Sequence, residues 1–318
     1  MKAMKNMKKI DLRSYGVVIG LVILCIIVSL MAPSFFTIRN ILNLLRQISI
    51  VGIIAAGMTL VIISGNFDIS VGYICCLAGV VTAKLLNMGV PLLVSMLAVL
   101  VVGALTGVCT GFVVSVVRIP SMIATLGMGQ VVNGILLMIC HGYPQSIDND
   151  VMDFIGKDGI LGVPVPVYFF LFSIILVSFV LKKTEFGRHI YAVGGNEEAS
   201  RLCGIHTKKV VIMLFTLSSM LAALSGIILT ARVGTATATA GSGYELDAIA
   251  AVVIGGTCVS GGEGSAWKTI IGVMFMGVIS NSFNLLQVDV YFQYVLKGLI
   301  ILIAVGFDCV SRMRVESK

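Results

Sequence analysis

The polar side chains best placed to form hydrogen bonds with a solute interrupt an otherwise uncharged apolar stretch. Residues 62–72 read Ile-Ile-Ser-Gly-Asn-Phe-Asp-Ile-Ser-Val-Gly, which places Asn66, Asp68 and Ser70 at alternate positions. Amide, carboxylate and hydroxyl groups together both donate and accept hydrogen bonds, as the hydroxyl groups of a neutral solute require. We expect these three side chains to line a pathway. A tight turn, with Asp68 or Ser70 capping the next helix, fits the same residues.

A second glycine-rich interruption occurs in residues 250–265, which read Ala-Ala-Val-Val-Ile-Gly-Gly-Thr-Cys-Val-Ser-Gly-Gly-Glu-Gly-Ser. Irregular backbone at membrane depth is tolerated only where protein buries it or where it lines a water-filled cavity. The segments 64–72 and 255–268 are therefore candidates for re-entrant structure. Further polar side chains on apolar stretches either line the same path or form hydrogen bonds between helices; they are Gln130, Asn133, Asn281 and Asn284.

A third feature lies in the most charged stretch of the chain, residues 182–209. Asn196 is a favourable N-cap, and Glu197 and Glu198 after it suit the positive end of a helix dipole. The helix continues through Ala199, and Gly204 is placed to end it. The pattern predicts a short helix with charged ends, which has the shape of a docking element. An ordinary solvated loop helix is the alternative.

Other kinds of chemistry have no support in the sequence. Three histidines, at 141, 189 and 206, are scattered, and no C-x-x-C pair occurs among the eight cysteines. A zinc site or a disulfide framework is therefore not predicted. No G-x-x-x-x-G-K-[ST] phosphate loop occurs either. We expect neither an enzyme nor a cofactor or metal site in this chain.

The elements that position these residues must be membrane helices. Of 318 residues, 58% are hydrophobic and 12% are charged, whereas a soluble globular chain carries about 25% charged residues. Uncharged runs approach the ~20 residues that a bilayer crossing needs. The sequence predicts an all-α polytopic membrane bundle with crossings over roughly 15–32, 47–64, 71–87, 91–117, 121–140, 163–181, 210–230, 245–260, 267–286 and 290–307.

One crossing carries glycine at every fourth position, at Gly103, Gly107 and Gly111. Small residues at this spacing let helix backbones approach closely within a membrane. We expect a tightly packed helix, and a dimer seam is the alternative.

The distribution of positive charge sets the orientation. With a cytoplasmic N-terminus, five of the 22 lysines and arginines fall outside, one falls within the last crossing and 16 fall inside. This excess follows the positive-inside rule, so the net charge of +7 reflects topology and not a nucleic-acid partner. We predict one domain over 1–318, with a cytoplasmic tail at 1–14, an extracytoplasmic loop at 141–162 and a cytoplasmic loop at 182–209. Eight or nine crossings remain open if the interruptions are re-entrant.

Three segments together resemble the permease subunits of ribose-type ABC importers: Thr59–Gly72, Tyr191–Gly204 and Glu245–Ser265. The resemblance covers roughly residues 40–307. It implies the ten-helix fold of vitamin-B12-type importers, in a bacterial cytoplasmic membrane with both termini in the cytoplasm. The chain departs from the family pattern at Asn66, where a second glycine is usual, and at Phe67, where an aliphatic residue is usual.

The resemblance also implies function and partners. It implies import of a neutral sugar, ribose or a related monosaccharide, driven by ATP hydrolysis on a separate cytoplasmic subunit. An extracytoplasmic sugar-binding protein would deliver the solute, and a second permease copy or a related permease would complete the pore within the lipid. Asn196–Gly204 matches the coupling helix of the family, so Asn196, Glu197, Glu198, Ala199 and Gly204 would contact the ATPase.

Two other transport functions fit part of the pattern. A permease for nucleosides or branched-chain amino acids shares the same three-part layout. A secondary transporter driven by an ion gradient would need titratable groups inside the membrane, for which Asp68, Glu245, Asp247 and Lys297 are the candidates.

Overall fold

A computed structural model describes residues 12–316. Of the predicted tail at 1–14, residues 1–11 lie outside the described residues, and 12–14 belong to the first helix. The helices of the described part are α1 (Leu12–Met31), α2 (Ile38–Ile63), α3 (Val71–Asn87), α4 (Leu92–Ser115), α5 (Ser121–Cys140), α6 (Asp150–Lys157), α7 (Val165–Lys183), α8 (Glu185–Gly195), α9 (Glu197–Leu202), α10 (Thr207–Val233), α11 (Tyr244–Ile254), α12 (Ala266–Leu285) and α13 (Val290–Glu316).

Helix α2 is the centre of the bundle. Thr37 caps its start, with Oγ1 accepting a hydrogen bond from the Asn40 backbone at 3.4 Å. From Ile48 to Ile63 every residue except Val51 is buried. A helix that is apolar on all sides is stable only when other helices surround it. Helices α7, α10, α11 and α12 pack against it.

The glycine stripe of α4 lies against α10. A β-carbon on Gly103, Gly107 or Gly111 would come within 2.5–2.8 Å of Ala223 Cβ, Thr216 Cα or Ile212 Cα, respectively. The two helix backbones therefore touch along three successive turns. The predicted tight packing is confirmed, and the contact is made within one chain.

Six of the described helices are long and apolar enough to cross a membrane: α2, α4, α5, α7, α10 and α12. Shorter apolar stretches occur at Gly16–Met31, Val71–Asn87 and Val290–Ile303, which correspond to predicted crossings in α1, α3 and α13. The described part of the chain thus confirms a polytopic helical bundle, with six helices of membrane-spanning length.

The structure corrects the predicted crossing over 245–260. Helix α11 has 11 residues and is about 16 Å long, roughly half of a ~30 Å hydrocarbon core. The chain still passes between opposite ends of the bundle: Gly234 O accepts from Ile147 N at one end, and Gly262 N donates to Ile63 O at the other. This passage consists of an irregular segment, a half-length helix and a glycine loop. The predicted end at residue 260 was wrong because apolar residues, Cys258 and Val259, continue beyond the helix end at Ile254.

Two short strand pairs lie at the end of the bundle that holds the predicted extracytoplasmic loop. Strand β1 (Gln145–Ser146) pairs antiparallel with β4 (Thr235–Ala236), and β2 (Gly159–Ile160) pairs antiparallel with β3 (Val163–Pro164). Helix α6 lies between β1 and β2 in sequence, within residues 141–162. At the opposite end, the predicted cytoplasmic loop at 182–209 contains α8 and α9.

Candidate translocation and coupling site

The two interruptions and the loop at 182–209 meet at one place. Gly262 N donates a hydrogen bond to Ile63 O at 2.8 Å. A β-carbon on Gly194 would overlap that same carbonyl oxygen and lie 2.7 Å from Gly262 N. A β-carbon on Gly261 would lie 2.7 Å from Gly194 O and 2.8 Å from Gly65 N. We call the contact of Ile63–Gly65, Gly194 and Gly261–Gly264 the glycine junction.

A tyrosine adds a side-chain bond to the glycine junction. The Tyr191 hydroxyl donates to Gly264 O at 2.9 Å. Burial raises the pKa of the Tyr191 hydroxyl above its ordinary value, because a phenolate is poorly solvated there. The hydroxyl therefore stays protonated near neutral pH and remains a donor. This bond ties α8 to the loop that follows α11.

The interruption between α2 and α3 begins at the glycine junction. Gly65 adopts a left-handed conformation with φ of +79°, which glycine accepts without strain. Asn66 Nδ2 donates to Ser64 O at 3.3 Å and to Ser64 Oγ at 3.1 Å. Phe67 N donates to Ser121 Oγ, at the start of α5, at 3.2 Å. Side chains thus satisfy the backbone that the helix leaves open.

After Phe67 the chain continues into the interior of the bundle. Ser70 Cα lies 3.5 Å from the β-carbon position of Gly129, eight residues after Ser121 and therefore about 12 Å further along α5. Asp68 is fully buried, and its Oδ1 accepts from Ser70 N at 3.0 Å and Ser70 Oγ at 2.5 Å. Helix α3 therefore begins inside the bundle. The segment between α2 and α3 runs along α5 and is not a tight turn at the end of the bundle.

Helix α11 begins beside this point. A β-carbon on Gly72 would overlap the Glu245 carboxylate and lie 2.9 Å from Gly241 O. Gly241 N donates to Cys76 Sγ at 3.1 Å, and Gly243 N donates to Glu245 Oε1 at 3.3 Å. Two helix N-termini, each with a partial positive charge, thus meet inside the bundle with a carboxylate between them.

A cavity of about 800 Å³ opens beside the glycine junction. Asn66 and Ser121 line it together with residues of the segment between α8 and α10. The charged residues of its lining are Arg118, Glu197, Glu198, Arg201, Lys208 and Lys209. Glu198 forms an ion pair with Arg201. Of the other charged residues, three are cations (Arg118, Lys208 and Lys209) and one is an anion (Glu197), so the lining carries an excess of positive charge.

Helix α9 forms one edge of this cavity. Asn196 Oδ1 accepts from Ala199 N at 2.9 Å, which is the N-cap bond that the sequence predicts. Gly204 has a φ of +85° after the last turn. Leu202 is 79% exposed. Nothing in the sequence indicates that this leucine lies on the surface. A short capped helix thus presents two carboxylates and the large apolar side chain of Leu202 to solvent.

Comparison with known proteins decides the family. Residues 40–305 match the family model of branched-chain amino acid transport system permease components. The chain belongs to this permease family. No solved structure matches the chain.

The permease is similar to several sugar permeases along nearly its whole length. It is 42% identical to the ribose import permease of Escherichia coli K12 over 294 residues, 91% of this chain and 92% of that protein. It is 42% identical to the ribose import permease of Bacillus subtilis over 299 residues, 93% of each chain. It is 36% identical to the L-arabinose transport system permease of E. coli K12, covering 92% of this chain and 90% of that protein. The predicted resemblance is confirmed, and the permease is a transport subunit and not an enzyme.

The structure brings some of the selected residues together and separates others. Asn66, Glu197 and Glu198 line the same cavity. Six other residues selected for the pathway are absent from its described lining: Asp68, Ser70, Gln130, Asn133, Asn281 and Asn284. Gln130 is exposed on α5 and Asn133 is half-buried on the same helix. Asn284 is exposed near the end of α12.

Asn281 has a partner that the sequence did not indicate. It is 2% exposed, and its amide exchanges two hydrogen bonds with the Asn40 amide, at 2.9 and 3.0 Å. This pair joins α12 to α2 and satisfies both amides. Of the two roles expected for Asn281, the structure therefore shows the interhelical hydrogen bond.

Proposed function

We propose that the permease is one half of the pore of an ATP-driven importer that carries a neutral monosaccharide, ribose or a close relative. The observation that carries this proposal is the shared cavity of Asn66 and α9, which links an interrupted membrane helix to the docking element. The names of relatives that cover over nine-tenths of the chain, ribose and L-arabinose permeases, support the solute class.

The proposed topology has ten passes, with both termini in the cytoplasm of a bacterium and the permease in its inner membrane. The positive-inside count supports this orientation. The pass through 234–265 uses the half-length α11, as transporters do where helices are broken near a binding site. The proposed arrangement is that of vitamin-B12-type importers.

The cytoplasmic partner is a separate ABC ATPase, which binds α9. Asn196, Glu197, Glu198, Ala199 and Gly204 form or support this contact. Leu202 adds an apolar side chain that a partner pocket would bury, since exposed apolar residues often mark interaction sites. A sugar-binding protein docks on the opposite face, over residues 141–162.

The pathway runs between this permease and a second permease copy. Asn66, Asp68 and Ser70 lie along the interruption that leads from the cavity into the bundle. Gln130 extends from the exposed face of α5, where a polar amide facing lipid would be costly. A water-filled path at the interface would solvate Gln130, and Asn133 on the same helix would lie near its wall.

A second candidate solute is a branched-chain amino acid, because the description of the matching family names that transport system. Nucleosides follow from the same three-part layout. An amino acid is a zwitterion, so its carriage would favour fixed charges in the path. Most of the proposed pathway residues, Asn66, Ser70 and Gln130 among them, are uncharged and favour a neutral solute, and Asp68 is the titratable exception.

The experiment that tests the proposal is uptake into proteoliposomes. The permease is co-expressed with its ATPase, and liposomes are loaded with ATP and supplied with binding protein. Radiolabelled ribose, L-arabinose, uridine and leucine are then compared. We expect ATP-dependent uptake of a monosaccharide that a protonophore does not change. Uptake of leucine alone would reassign the solute, and uptake that needs a proton gradient and no ATPase would refute the proposal.

A further inference from the structure

We infer that the glycine junction carries motion of α9 to the two interrupted helices, and that Gly194 is the positioning residue of this transmission. This inference rests on the proposed function, because it requires an ATPase that moves α9. It concerns the route inside the permease, which docking of the ATPase does not itself define.

The first step is continuity between α9 and the glycine junction. Only Gly195 and the N-cap Asn196 separate Gly194 from the first residue of α9. Helix α8 is held at its other end, where Gly187 packs against the backbone of Val180 and Leu181 in α7. A force on α9 is therefore delivered to the C-terminal end of α8, which contains Gly194.

The second step is the nature of the contact at Gly194. Its neighbours are main-chain atoms of Ile63, Gly261 and Gly262, with no side chain between them. Side chains can absorb small displacements by changing rotamer, whereas closely packed backbones cannot. The hydrogen bond from Gly262 N to Ile63 O further fixes the two neighbours to each other. A shift of Gly194 must therefore displace both segments.

The third step is where those two segments lead. Gly65 begins the interruption that ends at α3, and the loop at 255–265 follows α11 directly. The first turns of α3 and α11 meet again inside the bundle, where Glu245 lies on Gly72. The two segments thus form a closed path from the cytoplasmic end of the bundle to its interior.

The test uses two adjacent glycines of α8. In Gly194→Ala the new β-carbon would overlap Ile63 O, whereas in Gly195→Ala nothing lies within 4 Å of it. Neither substitution alters the exposed surface of α9. Each variant complex is reconstituted with its ATPase and binding protein, and three quantities are measured: ATPase retained on purification, basal ATP hydrolysis, and hydrolysis and uptake stimulated by binding protein.

We expect both variants to retain the ATPase and its basal hydrolysis. For Gly194→Ala we expect stimulated hydrolysis and uptake to fall about tenfold, as single positions on a coupling route do, and for Gly195→Ala we expect no change beyond about twofold. Equal stimulation in the two variants would overturn the inference. Loss of the ATPase from the wild-type complex would instead refute the proposed function, and the inference with it.

Tyr191→Phe keeps the test decisive if Gly194→Ala does not fold. It removes the hydroxyl that donates to Gly264 O and adds no volume. We expect normal assembly with stimulated uptake lowered about threefold. Normal stimulation in this variant would show that the tie between α8 and the glycine loop does not transmit motion.

Discussion

The ammonium group of Lys297 donates a hydrogen bond to Asp247 Oδ2 at 2.8 Å and joins α13 to the half-length α11. The two side chains are 26% and 10% exposed, respectively. A cavity of about 60 Å³ beside the pair is also lined by Gln47, Tyr244 and Ser280. A paired charge in such a place is stabilised mainly by its partner, so each charge is costly without the other.

The first prediction concerns this ion pair. We expect Asp247→Asn or Lys297→Met alone to destabilise the permease by about 3 kcal/mol, because each leaves one charge unpaired in the bundle. The double variant should recover much of the loss. Thermal unfolding of the four proteins in one detergent gives the coupling energy as a double-mutant cycle. Additive losses would show that the two side chains do not stabilise each other.

The second prediction concerns α9. We expect Glu197→Ala combined with Glu198→Ala to weaken ATPase association about tenfold without unfolding the permease, because both carboxylates are exposed. Leu202→Ser should weaken it further. Asp148→Ala with Asp158→Ala, also exposed but at the opposite end of the bundle, is the matched control. Unchanged co-purification in all variants would remove α9 from the docking surface.

The third prediction concerns the contact between α4 and α10. We expect Gly107→Ala to destabilise the permease by about 1–3 kcal/mol, because the added methyl would force two backbones apart. Gly127→Ala on α5 meets nothing within 4 Å and should leave the unfolding temperature unchanged or slightly raised, because alanine is the better helix former. Equal unfolding temperatures for the two variants would mean that α4 moves freely against α10.

The fourth prediction separates two roles of Asp68. Asparagine keeps an Oδ1 that accepts from Ser70 N and Oγ, so Asp68→Asn should retain the fold and the ATP-dependent uptake. Asp68→Ala leaves the Ser70 donors unpaired in a buried place, at a cost of about 1–3 kcal/mol. Uptake and unfolding temperature are measured for both. Abolished uptake in a stable Asp68→Asn protein would point to a proton carried by Asp68.

Local features of the permease follow from the sequence. Asn196 caps α9 because its side chain and position suit the free N–H of Ala199, the third residue of the helix. Gly103, Gly107 and Gly111 pack against α10 because four-residue spacing puts them on one helix face. Both patterns involve residues that are close together in the sequence, so they can be recognised without knowledge of the fold.

Contacts between segments that are far apart in the chain cannot be predicted from the sequence in this way. Asn40 and Asn281 are 241 residues apart, and neither carries a sign of the other. Gly194 lies near the end of α8 and Gly262 lies in the loop after α11, and a glycine has no side chain that identifies its neighbour. The end of α11 at Ile254 is hidden for another reason, since Cys258 and Val259 after it read as a continuing apolar stretch.

The all-backbone contact at the glycine junction has a consequence for genetics. When a bulky side chain replaces a small one in an ordinary core, a second mutation can restore the fit by trimming the neighbour. Around Gly194 the neighbours are main-chain atoms of Ile63, Gly261 and Gly262, and the glycines among them have nothing left to trim. Revertants of a Gly194 variant should therefore regain glycine at that codon or repack whole helices elsewhere.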